Sequence, residues 1–264
     1  MKSFLVTGAS RGLGEAIVRQ LQNLGHRVMA CARSEERLKE LWQGVANVEW
    51  TACDLSEWQD AEKLLNRTME RFGSLDGLVN NAGTIQPIDP LEQCDSAEWA
   101  RAITLNLTTP TLMIRAALPY LRKSRGRVVN ISTGAAVKVV QGWSAYCASK
   151  AGFLHLTQVV AVECPEVGFF SLRPGVIDTG MQSEIRDSAG MTESDLAKFK
   201  GLKESGSLEP PEVPARSAVW LALHGPLDRS GELIEYTDDQ VQSGAQELFA
   251  VRGPVQALRR ESTP

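Results

Sequence analysis

The sequence predicts a single α/β domain built on a parallel sheet. Three observations predict it. Short apolar runs alternate with longer stretches whose apolar residues recur at helical spacing, the pattern of successive strand–helix units. The first apolar run leads through a glycine-rich turn straight into a helix pattern. The length, 264 residues, suits one domain with a large core.

The first strand is expected over residues 3–6, a short buried run. It enters Thr7-Gly8-Ala9-Ser10-Arg11-Gly12-Leu13-Gly14, and a helix follows with Ile17, Val18, Leu21 and Leu24 on one face. Gly25 closes that helix. Strand, glycine turn and helix together form the context of a dinucleotide site: glycines let the backbone approach a pyrophosphate, and the helix N-terminus offers free N–H groups and a positive dipole end. The spacing is GxxxGxG rather than GxGxxG.

Residues 27–32 form the expected second strand. An NAD site places a carboxylate near the end of this strand to hold the ribose 2′-OH. Here Ala32 stands there, followed by Arg33, with Arg11 in the glycine loop as a second cation. Two guanidiniums suit a 2′-phosphate by charge and by paired hydrogen bonds, so NADP(H) is expected over NAD(H). The alternative pairs Arg33 with Glu35 or Glu36 on the surface.

The third strand, residues 48–52, ends at Cys53-Asp54-Leu55, where Asp54 could accept from an adenine amino group or cap the following helix. A helical stripe of Ala61, Leu64, Leu65 and Met69 precedes the fourth strand, residues 75–79, which ends in Asn80-Asn81-Ala82-Gly83. That turn is expected beside the cofactor crevice. A long helical region over residues 96–121 contains Pro110, so a kink or break is expected there, with Asn106 just before it. The fifth strand, residues 127–131, ends at Ser132-Thr133.

A helix then carries Tyr146 and Lys150 four residues apart, on one face and one turn apart. A free tyrosine has a pKa of about 10 and is a poor acid or base near neutrality. A nearby ammonium favours the phenolate and lowers that pKa, so the pair is expected to exchange protons at physiological pH. The sixth strand, residues 168–172, runs into Arg173-Pro174-Gly175-Val176-Ile177-Asp178-Thr179. Residues 181–208 are polar and lack a strand, with short helix-like patches interrupted by Gly190, Gly201 and Gly206. Such an excursion at the carboxyl edge of a sheet reads as a lid over a site. A helix including residues 219–223 and a seventh strand over residues 233–236 follow, and the end of the tail beyond Gln240 is expected to be partly disordered.

The net charge of −4 gives no global basic field to attract nucleic acid or an acidic membrane. No apolar run approaches the roughly 18 residues of a membrane span, and the strand pattern at the N-terminus leaves no room for a signal peptide. The five scattered cysteines include no CxxC, so neither a disulfide framework nor a metal site is expected, and a cytoplasmic setting fits.

Together these motifs resemble the short-chain dehydrogenase/reductase family over essentially the whole chain: Gly8/Gly12/Gly14, Asp54, Asn81-Ala82-Gly83, Asn106, Tyr146/Lys150, and Pro174-Gly175 with Thr179. The resemblance implies a seven-stranded parallel sheet in the order 3-2-1-4-5-6-7, with helices on both faces. It implies reversible hydride transfer between a nicotinamide and a carbonyl or alcohol. It gives Tyr146 the role of proton donor. Lys150 holds the ribose hydroxyls and lowers the Tyr146 pKa, and Asn106 supports a water-linked proton path. The family's serine, thirteen residues before the tyrosine, falls on Thr133, which keeps the hydroxyl but adds a methyl and a stiffer χ1. Cofactor contacts are implied for Gly8, Ser10, Arg11, Gly12, Leu13, Gly14, Arg33, Asp54, Leu55, Asn81, Ala82, Gly83, Tyr146, Lys150, Pro174, Gly175, Ile177, Thr179 and Met181. Family members pair helices corresponding to residues 97–121 and 144–163 across a two-fold axis. Leu112, Ile114, Phe153 and Leu156 are expected not all to face the parent sheet, so a homodimer or homotetramer is expected.

Residues 130–151 (NISTGAAVKVVQGWSAYCASKA), 173–181 (RPGVIDTGM) and 230–236 (SGELIEY) resemble the sepiapterin reductase branch, and residues 199–204 (FKGLKE) and 221–225 (LALHG) its microbial benzil reductases. Substrate contacts are expected from Thr133, Trp143, Tyr146 and Glu235, the last standing where sepiapterin reductases carry a pterin-anchoring acid; the alternative is a solvent-facing strand residue. With an aromatic wall, a deep Tyr146 and no obvious cationic cluster, the expected substrate is a compact uncharged aromatic dicarbonyl. The rivals are reduction of a 3-oxoacyl thioester or a steroid ketone, and an NADP-sensing protein without turnover, against which the retained Tyr146/Lys150 pair argues.

Overall fold

The computed structural model describes residues 1–250. Seven strands form one parallel sheet, β1 (Ser3–Thr7), β2 (Arg27–Ala32), β3 (Val48–Ala52), β4 (Gly77–Asn80), β5 (Arg127–Ile131), β6 (Gly168–Arg173) and β7 (Leu233–Glu235). Their order is β3-β2-β1-β4-β5-β6-β7. The order reverses between β1 and β4, which opens a crevice at the carboxyl ends of the strands, the usual binding place of such a sheet.

Side-chain alternation along the strands feeds two cores. Phe4, Val6, Val28 and Ala30 pack with α1 (Gly12–Asn23), α2 (Glu35–Trp42) and α9 (Glu212–His224) on one face. Leu5, Met29 and Cys31 pack on the other with α3 (Asp60–Phe72), α5 (Thr109–Ser124) and α6 (Ser144–Glu163). A sheet covered on both faces needs apolar residues at nearly every strand position, which is why these strands read as continuous apolar runs. All five cysteines are free, and among the described residues no helix is long and apolar enough to cross a membrane.

The structure gives particular form to four parts of the sequence reading. The helical region around Pro110 splits into α4 (Ser96–Ile103), a π-helical turn (Thr104–Thr108) and α5. Pro110 has no N–H for the carbonyl of Asn106, so the expected break takes the form of a wider turn just before it. In the 181–208 region, α7 (Gly180–Arg186) and α8 (Glu193–Glu204) form, and α8 runs through Gly201 without interruption. A single glycine costs a helix only about 1 kcal/mol, and Thr192 fixes the first turn by accepting from the Asp195 N–H. Beyond Gln240 the chain continues as α10 (Asp239–Ala250); the expectation of disorder at the tail's end falls on residues 251–264, outside the described residues. Finally, of the four apolar residues expected not all to face the parent sheet, Ile114 and Phe153 are buried against it and are unavailable to a partner, whereas Leu112 and Leu156 are only partly buried; Val162 of α6 is 83% exposed.

Candidate active site

The glycine turn is built around two backbone needs. Gly8 and Gly12 adopt φ of 68° and 57°, a region that disfavours side chains. A Cβ on Gly14 would lie 2.2 Å from the Gly8 carbonyl oxygen and 2.5 Å from Asn81 Nδ2. Gly14 therefore serves close packing of α1 on the loop and does not line the crevice, contrary to the contact expected of it. The N-cap of α1, Arg11, makes no side-chain capping bond, so no capping side chain occupies the N–H groups of the first turn. Asn81 ties the neighbouring turn to this loop. Its Nδ2 donates to the carbonyls of Thr7 (2.9 Å) and Gly8 (3.2 Å), and the N–H groups of Asn81 and Ala82 both donate to Thr7 Oγ1 at 3.0 Å.

These turns border a cleft of about 1010 Å³ that runs from the end of β2 to α7 and α8. Ser10, Leu13, Leu55, Gly83, Pro174, Gly175, Ile177, Thr179 and Met181 line it with Gly8, Gly12, Asn81 and Ala82. At one end stand Ala32, Arg33 and Asp54. Arg33 has no ion pair with Glu35 or Glu36 among the described residues. Asp54 is no helix cap: its Oδ1 accepts from the Ser56 N–H (3.0 Å) and hydroxyl (2.7 Å), and Arg101 reaches its Oδ2 at 3.2 Å. Burial opposes its ionisation. The Ser56 bonds, and then Arg101 and Arg33, outweigh that effect and hold its pKa below the ordinary carboxylate value.

Arg11 does not join Arg33 as expected. Its guanidinium lies over Gly180 and pairs with Glu184 of α7 at 3.8 Å. A further cation near the glycine loop is Arg37, whose Nε donates to the Ser10 carbonyl at 3.3 Å while its other nitrogens face Glu40 (2.7 Å) and Glu15 (3.8 Å). Ser34 caps α2 by accepting from the Arg37 N–H, so Arg37 sits in the first helical turn, four residues after Arg33. That cap spacing is the sequence signal that could have found it.

Tyr146 and Lys150 stand on α6, nearly fully buried in the cleft wall. A buried polar chain fastens α6 to the sheet: Asn80 Nδ2 donates to Asn130 Oδ1 (2.8 Å), Asn130 Nδ2 to Thr157 Oγ1 (3.0 Å), and Thr157 Oγ1 to the Phe153 carbonyl (2.7 Å). These side chains went unnoticed in the sequence because their partners lie on three different elements. Lys150 Nζ donates to the Ile131 carbonyl at 2.8 Å and sits 5.8 Å from the centre of the Tyr146 ring. Asn106, in the π-turn, does not line the cleft. Its amide clasps Thr84 through N–H and C=O (2.9 and 2.8 Å) and donates to Ser149 Oγ at 3.2 Å. Its Oδ1 and Lys150 Nζ flank the same Gly83.

Burial pushes the Tyr146 phenol up to about 12, with a hydrogen bond from Thr133 pulling the other way. Burial also pushes the Lys150 ammonium down to about 8. Instead of the expected lowering, the Tyr146 pKa is raised, because desolvation of the phenolate outweighs the opposing effect of Thr133. The consequence is a phenol that holds its proton throughout the physiological range. Thr133, at the end of β5, acts on the Tyr146 phenol and accepts from the Ala135 N–H at 3.3 Å, while the neighbouring Ser132 hydroxyl is buried without a partner among the described residues.

Trp143 packs edge-on to Tyr146 (5.7 Å, 86°) and tilts against Phe199 of α8 (5.6 Å, 32°), forming an aromatic wall. Glu235 lies outside the lining, where it pairs with Arg173. The carboxylate expected to meet substrate is turned aside because the last residue of β6 stands beside it in register. Arg173, Lys138 and Lys198 also line the cleft, cations that the sequence reading, which saw no obvious cationic cluster, did not single out. Among the described residues no group of three or more His, Cys, Asp or Glu side chains could hold a metal ion.

A short chain dehydrogenase profile matches residues 2–190. A Saccharomyces cerevisiae benzil reductase ((S)-benzoin forming) is 34% identical over 256 residues, spanning 91% of this chain and 97% of that protein. An Oryctolagus cuniculus L-fucose dehydrogenase is 31% identical over 255 residues, 96% of this chain and 89% of its own. The crystal structure of a short chain dehydrogenase/reductase from Saccharomyces cerevisiae superposes with a TM-score of 0.88 at 34% identity, covering 92% of this chain and 99% of that one. A profile covering most of the chain, relatives matched along nearly their full lengths, and a crevice lined by tyrosine, lysine and a threonine hydroxyl agree: the chain belongs to the short-chain dehydrogenase/reductase family of oxidoreductases.

Proposed function

We propose that this oxidoreductase uses NADPH to reduce one carbonyl of an aromatic α-diketone such as benzil. The observation that carries the reading is the wall formed by Trp143 and Phe199 against Tyr146, with Thr133 beside it in the cleft lining. An aromatic substrate stacks on such a wall while its carbonyl meets the phenol.

The cleft fits a dinucleotide on three observations: the positive-φ glycines at 8 and 12, the buried unpartnered hydroxyl of Ser132 in the lining, and Arg33 without a carboxylate beside Ala32. Arg33, supported by Arg37, would hold the 2′-phosphate, and the first turn of α1 the pyrophosphate. A bound nicotinamide supplies the hydride. Tyr146 gives its proton to the carbonyl oxygen as charge develops there, and Thr133 steadies that oxygen. Lys150 positions the ribose and, through Asn106 and a water, receives the replacement proton. Residues 181–208 act as the lid that excludes water, with Phe199 on its inner side. Helices α4, α5 and α6 pair copies into a homodimer or homotetramer in the cytoplasm.

Sepiapterin is a weaker substrate on this reading, since Glu235 is paired with Arg173 rather than turned into the cleft. The test follows NADPH oxidation with benzil, sepiapterin, L-fucose, a steroid ketone and a 3-oxoacyl thioester, using the unmodified protein and Tyr146→Phe. Benzil turnover that falls by a factor of about 10² or more in Tyr146→Phe, with NADPH binding retained, supports the proposal. Fast turnover of the thioester and none of any α-diketone overturns it.

A further inference from the structure

The charge of the cleft does not match the charge of the protein. The chain carries a net charge of −4, yet among the described residues Asp54 is the only carboxylate in the cleft lining, against seven Lys and Arg residues. Most of these cations are already engaged. Arg11 faces Glu184, Arg37 faces Glu15 and Glu40, Arg173 faces Glu235, and Lys150 donates to the Ile131 carbonyl. Arg33 stands at the adenosine end, near Asp54. Two cations are left over, Lys138 and Lys198. Neither has an ion pair among the described residues, and both are exposed.

Their placement gives them a shared task. Lys138 lies in the segment between β5 and α6, just after the short 3-10 turn Gly134–Ala136 that follows Thr133. Lys198 lies on α8, next to Phe199 of the aromatic wall. Both lysines line the cleft that holds the buried Tyr146, Lys138 from the segment before α6 and Lys198 from α8. A cation pair of this kind near an apolar wall attracts an anion attached to an apolar body.

We infer that the preferred substrate is an aryl carbonyl compound bearing a carboxylate remote from the reacting carbonyl, with Lys138 and Lys198 binding that carboxylate. This rests on the diketone-reductase reading and specifies its substrate class. The pair sets specificity and takes no part in the proton or hydride transfer.

The test compares 4-carboxybenzil with its methyl ester, which share an arene and a dicarbonyl and differ in one charge. Exposed ion pairs are weak and screened by salt, so kcat/KM should favour the acid by ~5- to 10-fold at low ionic strength, and the ratio should approach one in ~0.5 M salt. Lys138→Gln with Lys198→Gln should bring the low-salt ratio to about one, while Lys138→Arg with Lys198→Arg should keep it. The ratio is the readout, so a general loss of activity cancels. Independently of turnover, biphenyl-4-carboxylate should bind the protein–NADP⁺ complex more tightly than its carboxamide by calorimetry, and the paired glutamine variant should lose that difference. Equal kcat/KM for acid and ester, or a preference for the acid that survives in the glutamine variant, overturns the inference while leaving the diketone reading intact. Absence of turnover with both diketones overturns the diketone reading, and calorimetry then decides the anion site by itself: equal binding of acid and amide sinks it.

Discussion

Lys150 should set the upper pH limit of cofactor capture. Burial lowers its ammonium to about 8, whereas Tyr146 is raised to about 12 and stays protonated well past that point. At one pH unit below its pKa a group is about nine-tenths protonated, and one unit above it about one-tenth. If the ammonium is needed to hold the ribose, kcat/KM for NADPH, which reports the free enzyme, should therefore fall about 10-fold between pH 7 and pH 9. A limb set by Tyr146 would appear about four units higher than one set by Lys150, so the two assignments separate cleanly. The assay is initial-rate NADPH oxidation at saturating benzil across pH 6–11, repeated with Lys150→Arg. Arginine keeps its charge throughout this range, so any activity retained by that variant should lose the limb near 8. NADPH affinity measured by fluorescence in Tyr146→Phe should show the same limb, since the lysine is untouched. A profile flat to pH 10, or a limb that persists in Lys150→Arg, refutes the assignment. Stability carries the same signature. Between about 8 and the ordinary lysine value the unfolded chain binds more protons at this site, so Lys150 makes the fold more stable as pH rises. Tyr146, raised in the fold, makes it less stable between its ordinary value and about 12.

Thr133→Ser should remain active because the hydroxyl partner of Tyr146 survives. Thr133→Ala should lower kcat by about 10²–10³-fold, the cost of one lost donor to a developing oxyanion, and Ser132→Ala should be mild by the same steady-state assay. Ala32→Asp combined with Arg33→Ser should shift kcat/KM from NADPH toward NADH, by on the order of 10- to 100-fold, since one charge-assisted guanidinium–phosphate contact is lost and a repelling carboxylate gained. Equal kcat/KM for both cofactors in the unmodified protein counts against the assigned role of Arg33. Light scattering at micromolar concentration should give two or four times the 28.8 kDa chain mass, and a monomer refutes the proposed pairing through α4, α5 and α6.

The order and kind of the elements were determined by the sequence, because a buried parallel sheet demands apolar runs and its crossovers demand helical stripes. The glycine turn and the Tyr146/Lys150 spacing were legible for a similar reason: each is set by contacts within a few residues. The π-turn was legible only as a break at Pro110, since the missing N–H says where hydrogen bonding fails and not what replaces it. The substrate end was not legible. Whether Glu235 meets solvent, Arg173 or the cleft depends on the register of β7 against β6, and Lys138 and Lys198 line one cleft only because residues far apart in the chain fold to it. The two decisive pKa directions likewise come from burial. Spacing along α6 places an ammonium near a phenol, but only the packed sheet and helices remove the water, and that removal moves Tyr146 and Lys150 in opposite senses.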